Sequence, residues 1–405
     1  MIQTPKLLLL ALACAPASHA GEALPVEFSG SGFLTLAAGK IVGGGDKRDV
    51  SGWTCPCYVA DYAQGGMYEN KGVTIRPDSK LGLQGKVTAW QDFSVTGQAV
   101  FRGARDGKPN LEWVYAAYDI NDNLALQAGR KRLPLLFYSE SQDIGVAYPW
   151  VHLPGQVYGW EIVNYNGANL LYRGQFAGWS GTANVFGGSE TNQGNGYWTV
   201  YNGKDSDTDS RWTGIAGAEL VLSRDWFEGR IGYVQSKVQN RPVKVVNNLA
   251  AEGEPNQWMI DDPLDDDGNP ASVFSDKVRQ KIWAGSANVD YGNWVLRAEY
   301  IHINRRAANE TDISRMFAAG YRIGKWLPLV TLADYRYGLP QGYVNGDETV
   351  EAHRVASLSL RYDLNTNSAL KLQYDRWQDR SDENYRIALP YGDSRLVSVS
   401  YDLAF

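Results

Sequence analysis

The sequence predicts an all-β fold: a transmembrane antiparallel β-barrel of about 16 strands, with its third long loop folded into the lumen. Three observations carry this expectation. After residue 20 no apolar run reaches the roughly 18 residues of a spanning helix. The chain instead repeats segments of about ten residues in which apolar and polar side chains alternate, and a closed barrel is the other structure that satisfies its backbone in lipid. The connections between segments alternate short and long, as they do at the two rims of a barrel. Abundant Tyr (24), Trp (14) and Gly (43) favour strands and turns over helices.

The elements follow in order. "MIQTPKLLLLALACAPASHA" carries Lys6, an apolar run from Leu7 and a small-x-small close at Ser18-His19-Ala20. Residues 1–20 therefore read as an export signal peptide and 21–405 as the barrel. Lipid attachment at Cys14 is the rival reading, and Ala11 stands where such a site usually has Leu. The exported chain keeps Cys55 and Cys57 in "WTCPCYV". A loop disulfide is preferred there over a metal site, which wants about four ligands.

The first strand is read from about Phe28 to Gly39. "KLGLQGKVTAW" (80–90) breaks at Gln91-Asp92 into "FSVTGQAVFRG" (93–103), two alternating strands around a tight turn. Further hairpins are 111–120 with 124–132, 169–179 turning at Ser180-Gly181, and 213–223 turning at "RDW". Three more are 282–292 with 294 onward, 316–324 turning at "KW", and 354–364 turning at "NTN". "SRLVSVSYDLAF" (394–405) closes the barrel against the first strand, with Phe405 facing lipid at the short-turn rim. The long connections are about 40–78, 133–166, 190–211 and 238–277. Trp90, Trp179, Trp226, Trp294, Trp326, Tyr118 and Tyr362 lie near strand ends, as an interfacial girdle would.

Period-2 assignment turns Lys86, Arg102, Arg173, Arg230, Arg297, Arg322, Arg336, Arg361 and Lys371 inward, with Glu219, Glu299, Asp334, Asp375 and Asp402. Arg or Lys on the lipid face costs about 2–4 kcal/mol at the midplane. Each inward charge is either half of an ion pair along the wall or part of a water-filled lumen. The third long loop, "GRKRLPLLFYSESQDIGVAYPWVHLPGQVYGWEIVNYNG" (129–167), is too apolar and aromatic to be solvated. It is expected to enter the barrel; packing on neighbouring external loops is the alternative. Its flank is basic (Arg130, Lys131, Arg132) and its middle acidic (Glu140, Asp143), which would set a transverse field across a constriction. Arg130 shares parity with outward Leu124 and Leu126. A bulge at Gly129 would turn it inward; otherwise Lys131 points in.

In its signal peptide, alternating strands, loop after strand five, "QAGRKRLPL" stretch and terminal aromatic, the chain resembles the Gram-negative outer-membrane porins, the 16-stranded general and anion-type superfamily. The resemblance implies a homotrimer in the bacterial outer membrane, passive diffusion of small hydrophilic solutes or ions, and an eyelet of basic wall against acidic loop. Arg102 and Arg130 match the wall, Glu140 and Asp143 the loop. It also implies that Phe405 is a signal read by the barrel-assembly machinery, and that the lipid bilayer and lipopolysaccharide surround the barrel. The basic residues near the inferred constriction suggest a weak anion preference. Two alternatives stay open. One is a channel specific for a sugar or organic acid, with Phe137, Tyr138, Tyr148, Trp150 and Tyr158 as a stacking path. The other is a barrel adhesin or receptor.

An enzyme is not expected: the chain after residue 20 has only His152, His302 and His353, and no G-x-S-x-G. A net charge of −6 gives no footing for nucleic acid. No cofactor or resident metal is expected. The acidic stretch "DDPLDDDGNP" (261–270) reads as a solvated loop, because Pro263 and Leu264 spoil calcium-loop spacing. A divalent cation bridging lipopolysaccharide phosphates is its other reading.

Overall fold

The computed structural model describes residues 26–50, 52–90, 92–244, 273–306, 310–338, 350–381 and 392–405. The expected signal peptide (1–20) and the acidic stretch 261–270 lie outside them. Sixteen strands among these residues close into one antiparallel barrel. They run Val26–Gly44, Lys80–Ala89, Phe93–Arg102, Pro109–Asn121, Leu124–Arg132, Asn164–Phe176, Trp179–Asn192, Asp207–Arg224, Phe227–Lys244, Val278–Tyr291, Trp294–Arg305, Glu310–Tyr321, Trp326–Gly338, Val350–Asn365, Ser368–Asp379 and Ser394–Ala404. Each pairs with its neighbours in sequence, and the last pairs with the first, from Phe33 opposite Ala404 to Gly44 opposite Ser394. No sheet edge is left for lipid to meet.

The seam ends on Phe405. Its amide donates to the Gly32 carbonyl (2.9 Å) and its carbonyl accepts from the Gly32 amide (2.7 Å). Gly32 is needed for this approach, because a Cβ there would lie 2.6 Å from the Phe405 ring. The ring itself is 60 % exposed on the outer face.

The short turns hold aromatic pairs: Trp226 with Tyr291 (5.6 Å between ring centroids), Trp294 with Tyr321 (5.0 Å) and Trp326 with Tyr362 (4.4 Å). One turn differs from expectation. The strand pair Phe176–Trp179 is joined by Ala177-Gly178, not by Ser180-Gly181. Both turn residues have positive φ, 49° and 78°. That geometry matches the twist of a hairpin, and an alanine in it gives no compositional warning. At the other rim the strands run past the expected ends: Asp207 still pairs with Lys244. Polar loop residues extend the ladder there after the apolar alternation has ceased.

The outer face is apolar, with Val330, Leu332, Leu358, Leu370, Leu372 and Val399 all exposed. The inner face is not simply polar. Val234, Ile282, Ile301, Ile303 and Leu329 point inward and are buried with residues of the third loop. This apolar inner content corrects one strand. In Trp326–Gly338 the buried positions are Leu327, Leu329, Thr331, Ala333, Tyr335 and Tyr337. Arg336 and Asp334 share the parity of exposed Val330 and Leu332, so both face outward, against the sequence expectation. Taking every leucine as lipid-facing inverts this strand, because Leu327 and Leu329 are apolar on the inside.

Removing Phe405 deletes both seam hydrogen bonds, each worth about 0.5–1.5 kcal/mol net. The expected outcome is a lower yield of folded barrel with unchanged conductance of the channels that do form. The checks are electrophoretic mobility of unheated samples and single-channel recording.

Candidate functional site

The third loop is closed at its base by the Leu133 amide donating to the Val163 carbonyl (2.9 Å). Between them the backbone makes few regular ladder bonds, so its polar groups need other partners. Inward-parity wall side chains supply them. Arg230 donates to Leu136 O (2.9 Å), Arg361 to Val146 O (2.7 Å) and Tyr148 O (2.9 Å), and Lys371 to Gly145 O and Trp150 O (both 2.7 Å). Gln373 accepts from the Val151 amide (2.8 Å) and Thr331 from the Trp150 indole (2.8 Å). Gly145 permits the closest approach, since a Cβ would sit 1.8 Å from Asp402 Oδ1. Tyr138, Tyr148, Trp150 and Tyr158 are buried with wall residues, and Tyr158 donates to Glu299 (2.5 Å). These four rings anchor the loop, and Phe137, the fifth ring of the expected path, is half-buried against them.

Arg102 and Asp143 do meet. Arg102 Nε and Nη2 donate to Asp143 Oδ1 and Oδ2 (3.0 and 2.7 Å), and Nη2 also pairs with Glu112 (2.6 Å). Arg132 pairs with Asp143 and with Glu112 (2.9 Å). Burial opposes the Asp143 charge, but the Arg102 and Arg132 guanidiniums hold its carboxyl well below the usual carboxylate range. Arg102 is only 3 % exposed, so it clamps the loop and does not face a water path.

The register runs unbroken through Gly129 on both sides. Arg130 lies opposite Val114, next to Gly129 with its positive φ of 137°, and pairs with Glu190 (2.7 Å) beside a cavity of about 350 Å³ that also includes Gln64, Arg105 and third-loop Ile162. Lys131 takes the inward place. It donates to Gln127 and Asn169 and lies over the Tyr115 ring (5.0 Å). Across from that wall, Glu140 is 47 % exposed on the loop, 3.8 Å from Arg230, which also pairs with Glu219 (2.9 Å). Lys86 and Arg173 have inward parity and are exposed nearer the short turns. Arg297 pairs with Asp290 (3.0 Å) and donates to Tyr138 (3.1 Å), and Arg361 also pairs with Asp363 (2.7 Å). Arg336 takes no part in the lumen.

Sequence reasoning placed a disulfide in the first loop, which is present, but missed how that loop packs. Cys55 and Cys57 are disulfide-bonded within it, and two small hairpins, Arg48–Cys55 and Tyr58–Tyr68, fold it. Tyr58 meets His152 (5.1 Å) and Trp377 (5.7 Å), and Tyr62 stacks on His353 (6.2 Å). His152 sits between Asp78 (3.1 Å) and Asp375 (3.2 Å). Burial works against its charge, yet the two carboxylates outweigh burial and push its pKa up to about 10. The signal was present: "WTCPCYVADYAQGGMY" is as aromatic as the third loop.

With this geometry in hand, comparisons agree. A family model for Gram-negative porins matches residues 7–383. No curated protein matches the sequence. Among solved structures, OmpF of Salmonella typhi, in complex with daunomycin, is 15 % identical over 93 % of this chain and 97 % of its own, with a TM-score of 0.55. The anion-selective porin of Comamonas acidovorans is 13 % identical over 94 % and 100 %, with a TM-score of 0.53. OmpT of Vibrio cholerae, in a trimer form, is 8 % identical over 94 % and 99 %, with a TM-score of 0.54.

Two outcomes follow for the loop. Asp143→Asn leaves Arg102 and Arg132 under-compensated and should cost about 3–5 kcal/mol, read as a lower urea midpoint. His152 has a raised folded pKa, so its contribution is complete below its ordinary value of 6.5 and is lost as pH rises through about 10. Open-channel current noise should rise across that window in the native chain, whereas His152→Gln should show none of this pH dependence.

Proposed function

The chain belongs to the Gram-negative porins, forming an outer-membrane channel for passive diffusion, and from its lumen we propose how it selects. The third loop narrows the barrel to a constriction between Glu140 and the wall around Lys131 and Arg230, and the channel passes small hydrophilic solutes with a weak preference for anions. One observation carries the preference: among the described residues no carboxylate lies within 4.0 Å of Lys86, Lys131 or Arg173. Most other wall cations are neutralised or bound to loop carbonyls, so these three set the field that an ion meets.

Burial of Tyr138, Tyr148, Trp150 and Tyr158 speaks against a stacking path and favours a general channel over a sugar-specific one. Selection by size and field requires no covalent chemistry. We propose a homotrimer, supported by the likeness in fold to the trimer form of OmpT.

Under a salt gradient in planar bilayers, the reversal potential should indicate weak anion selectivity. Lys131→Glu should lower the anion-to-cation permeability ratio about two- to fivefold, corresponding to ~0.5–1 kcal/mol for an exposed charge contact. Arg336→Glu, on the outer face, should leave the ratio unchanged. An unchanged ratio in the Lys131 variant would remove that residue from the constriction.

A further inference from the structure

The first loop, between Val26–Gly44 and Lys80–Ala89, does not stand clear of the barrel. Its Trp53, Tyr58 and Met67 are buried together with Ile41, Trp377 and Leu396. Those three wall residues hold inward positions on the first strand and the last two. Tyr68 shows how close the approach is, since a Cβ at Gly39 would lie 2.5 Å from its ring. Burial of these rings against the wall holds the loop inward.

The first loop sits a level beyond the third, toward the long-loop rim. On Ser368–Asp379 the third loop meets Lys371 and Gln373, whereas the first loop meets Trp377. On the first strand Gly145 of the third loop lies against Thr35, whereas Tyr68 lies against Gly39. From Gln373 to Trp377, or Thr35 to Gly39, the strand rises about 13 Å.

A short helix, Gly196–Asn202, comes from the opposite wall. It joins the seventh and eighth strands, which stand eight places around the ring from the fifteenth and sixteenth. In a ring of sixteen that is the far side of the lumen. The two nevertheless meet. Tyr62 of the first loop packs against Tyr197 (6.1 Å between ring centroids) and Tyr201 (6.0 Å) of the helix and stacks on His353 of the wall (6.2 Å). The backbones also touch: a Cβ on Gly65 would lie 3.2 Å from the Gly196 carbonyl oxygen. Tyr201 reaches on to the fourteenth strand and donates to Glu351 (3.1 Å). The Cys55–Cys57 disulfide lies between the two small hairpins, the second of which presents Tyr62.

We propose that the first loop and this helix, locked together at Tyr62, form a strut across the mouth that is the channel's first sieve. It sets the largest solute admitted, and the constriction between Glu140 and Lys131 sets the charge preference behind it. The proposal rests on the passive-diffusion reading and adds a second barrier in series. The junction is built of rings, which obstruct by bulk, so size and charge are selected at different levels of the lumen.

The test is the swelling rate of liposomes carrying the full chain in neutral oligosaccharides of graded length, with reversal potentials from the same preparations. Tyr62→Ala, and separately Tyr197→Ala with Tyr201→Ala, should raise the tetrasaccharide rate relative to the monosaccharide by about fivefold or more, with the anion-to-cation ratio at its native value. Tyr62→Phe keeps the ring and should sieve as the native chain does. Lys131→Glu should leave the size profile native. The two alanine variants lie in separate loops, so if one fails to assemble the other decides. Relative rates within twofold of native in the alanine variants, or a size profile moved by Lys131→Glu and not by them, would overturn the strut. Salt conductance of the same samples separates loss of the sieve from failure to form a channel.

Discussion

Every backbone amide that crosses a bilayer must find its partner within the protein, and the rest of this molecule follows from that requirement. It forces closure, so the last strand seeks the first and the chain's final residue is hydrogen-bonded to Gly32. Closure of sixteen strands then creates a lumen too wide for wall side chains to fill. Third-loop residues pack against inward wall side chains, and their carbonyls need partners. Wall cations answer them: Arg230, Arg361 and Lys371 each spend hydrogen bonds on loop backbone. A basic inner wall is thus first a means of holding that loop against it.

That double use decides which charges remain for transport. Around Asp143, the buried cations Arg102 and Arg132 are matched by Asp143 and Glu112, so the cluster presents little net field to the lumen. Lys131 differs because its ammonium is held by the amides of Gln127 and Asn169, which orient the charge without cancelling it. Counting inward cations overstates the field; what matters is which of them face a neutral partner.

The strand plan was legible because alternation, short turns and girdle aromatics agree across the whole chain. Legibility failed where one level misleads. The Ala177-Gly178 turn lacks a turn-forming first residue, and the neighbouring Ser180-Gly181 imitates one. In the site, Arg102 and Asp143 could be named as partners, since a basic wall and an acidic loop must meet. Their burial could not be, because it depends on Glu112 and Arg132 arriving from two other strands. Arg130 and Lys131 are adjacent, so a one-residue question of register exchanged their roles. The first loop's disulfide was read correctly, but its packing on His152 and Trp377 was not, although its composition carried the signal that marked the third loop.

Arg336 shows how the two faces of a barrel wall are coupled in sequence but separate in function. Period-2 reasoning needs one face to be apolar, and it fails once the loop supplies an apolar interior against Leu329. The same failure hides a regularity, because an arginine assigned singly to the lumen cannot be seen as one of a row. Placed outward, Arg336 joins the exposed Arg354, Arg376 and Arg395 on the outer face. Inner cations such as Arg230, Arg361 and Lys371 are tied to particular loop carbonyls and follow the loop they hold. Outer cations such as Arg336 share their face with exposed apolar residues and have no loop to hold.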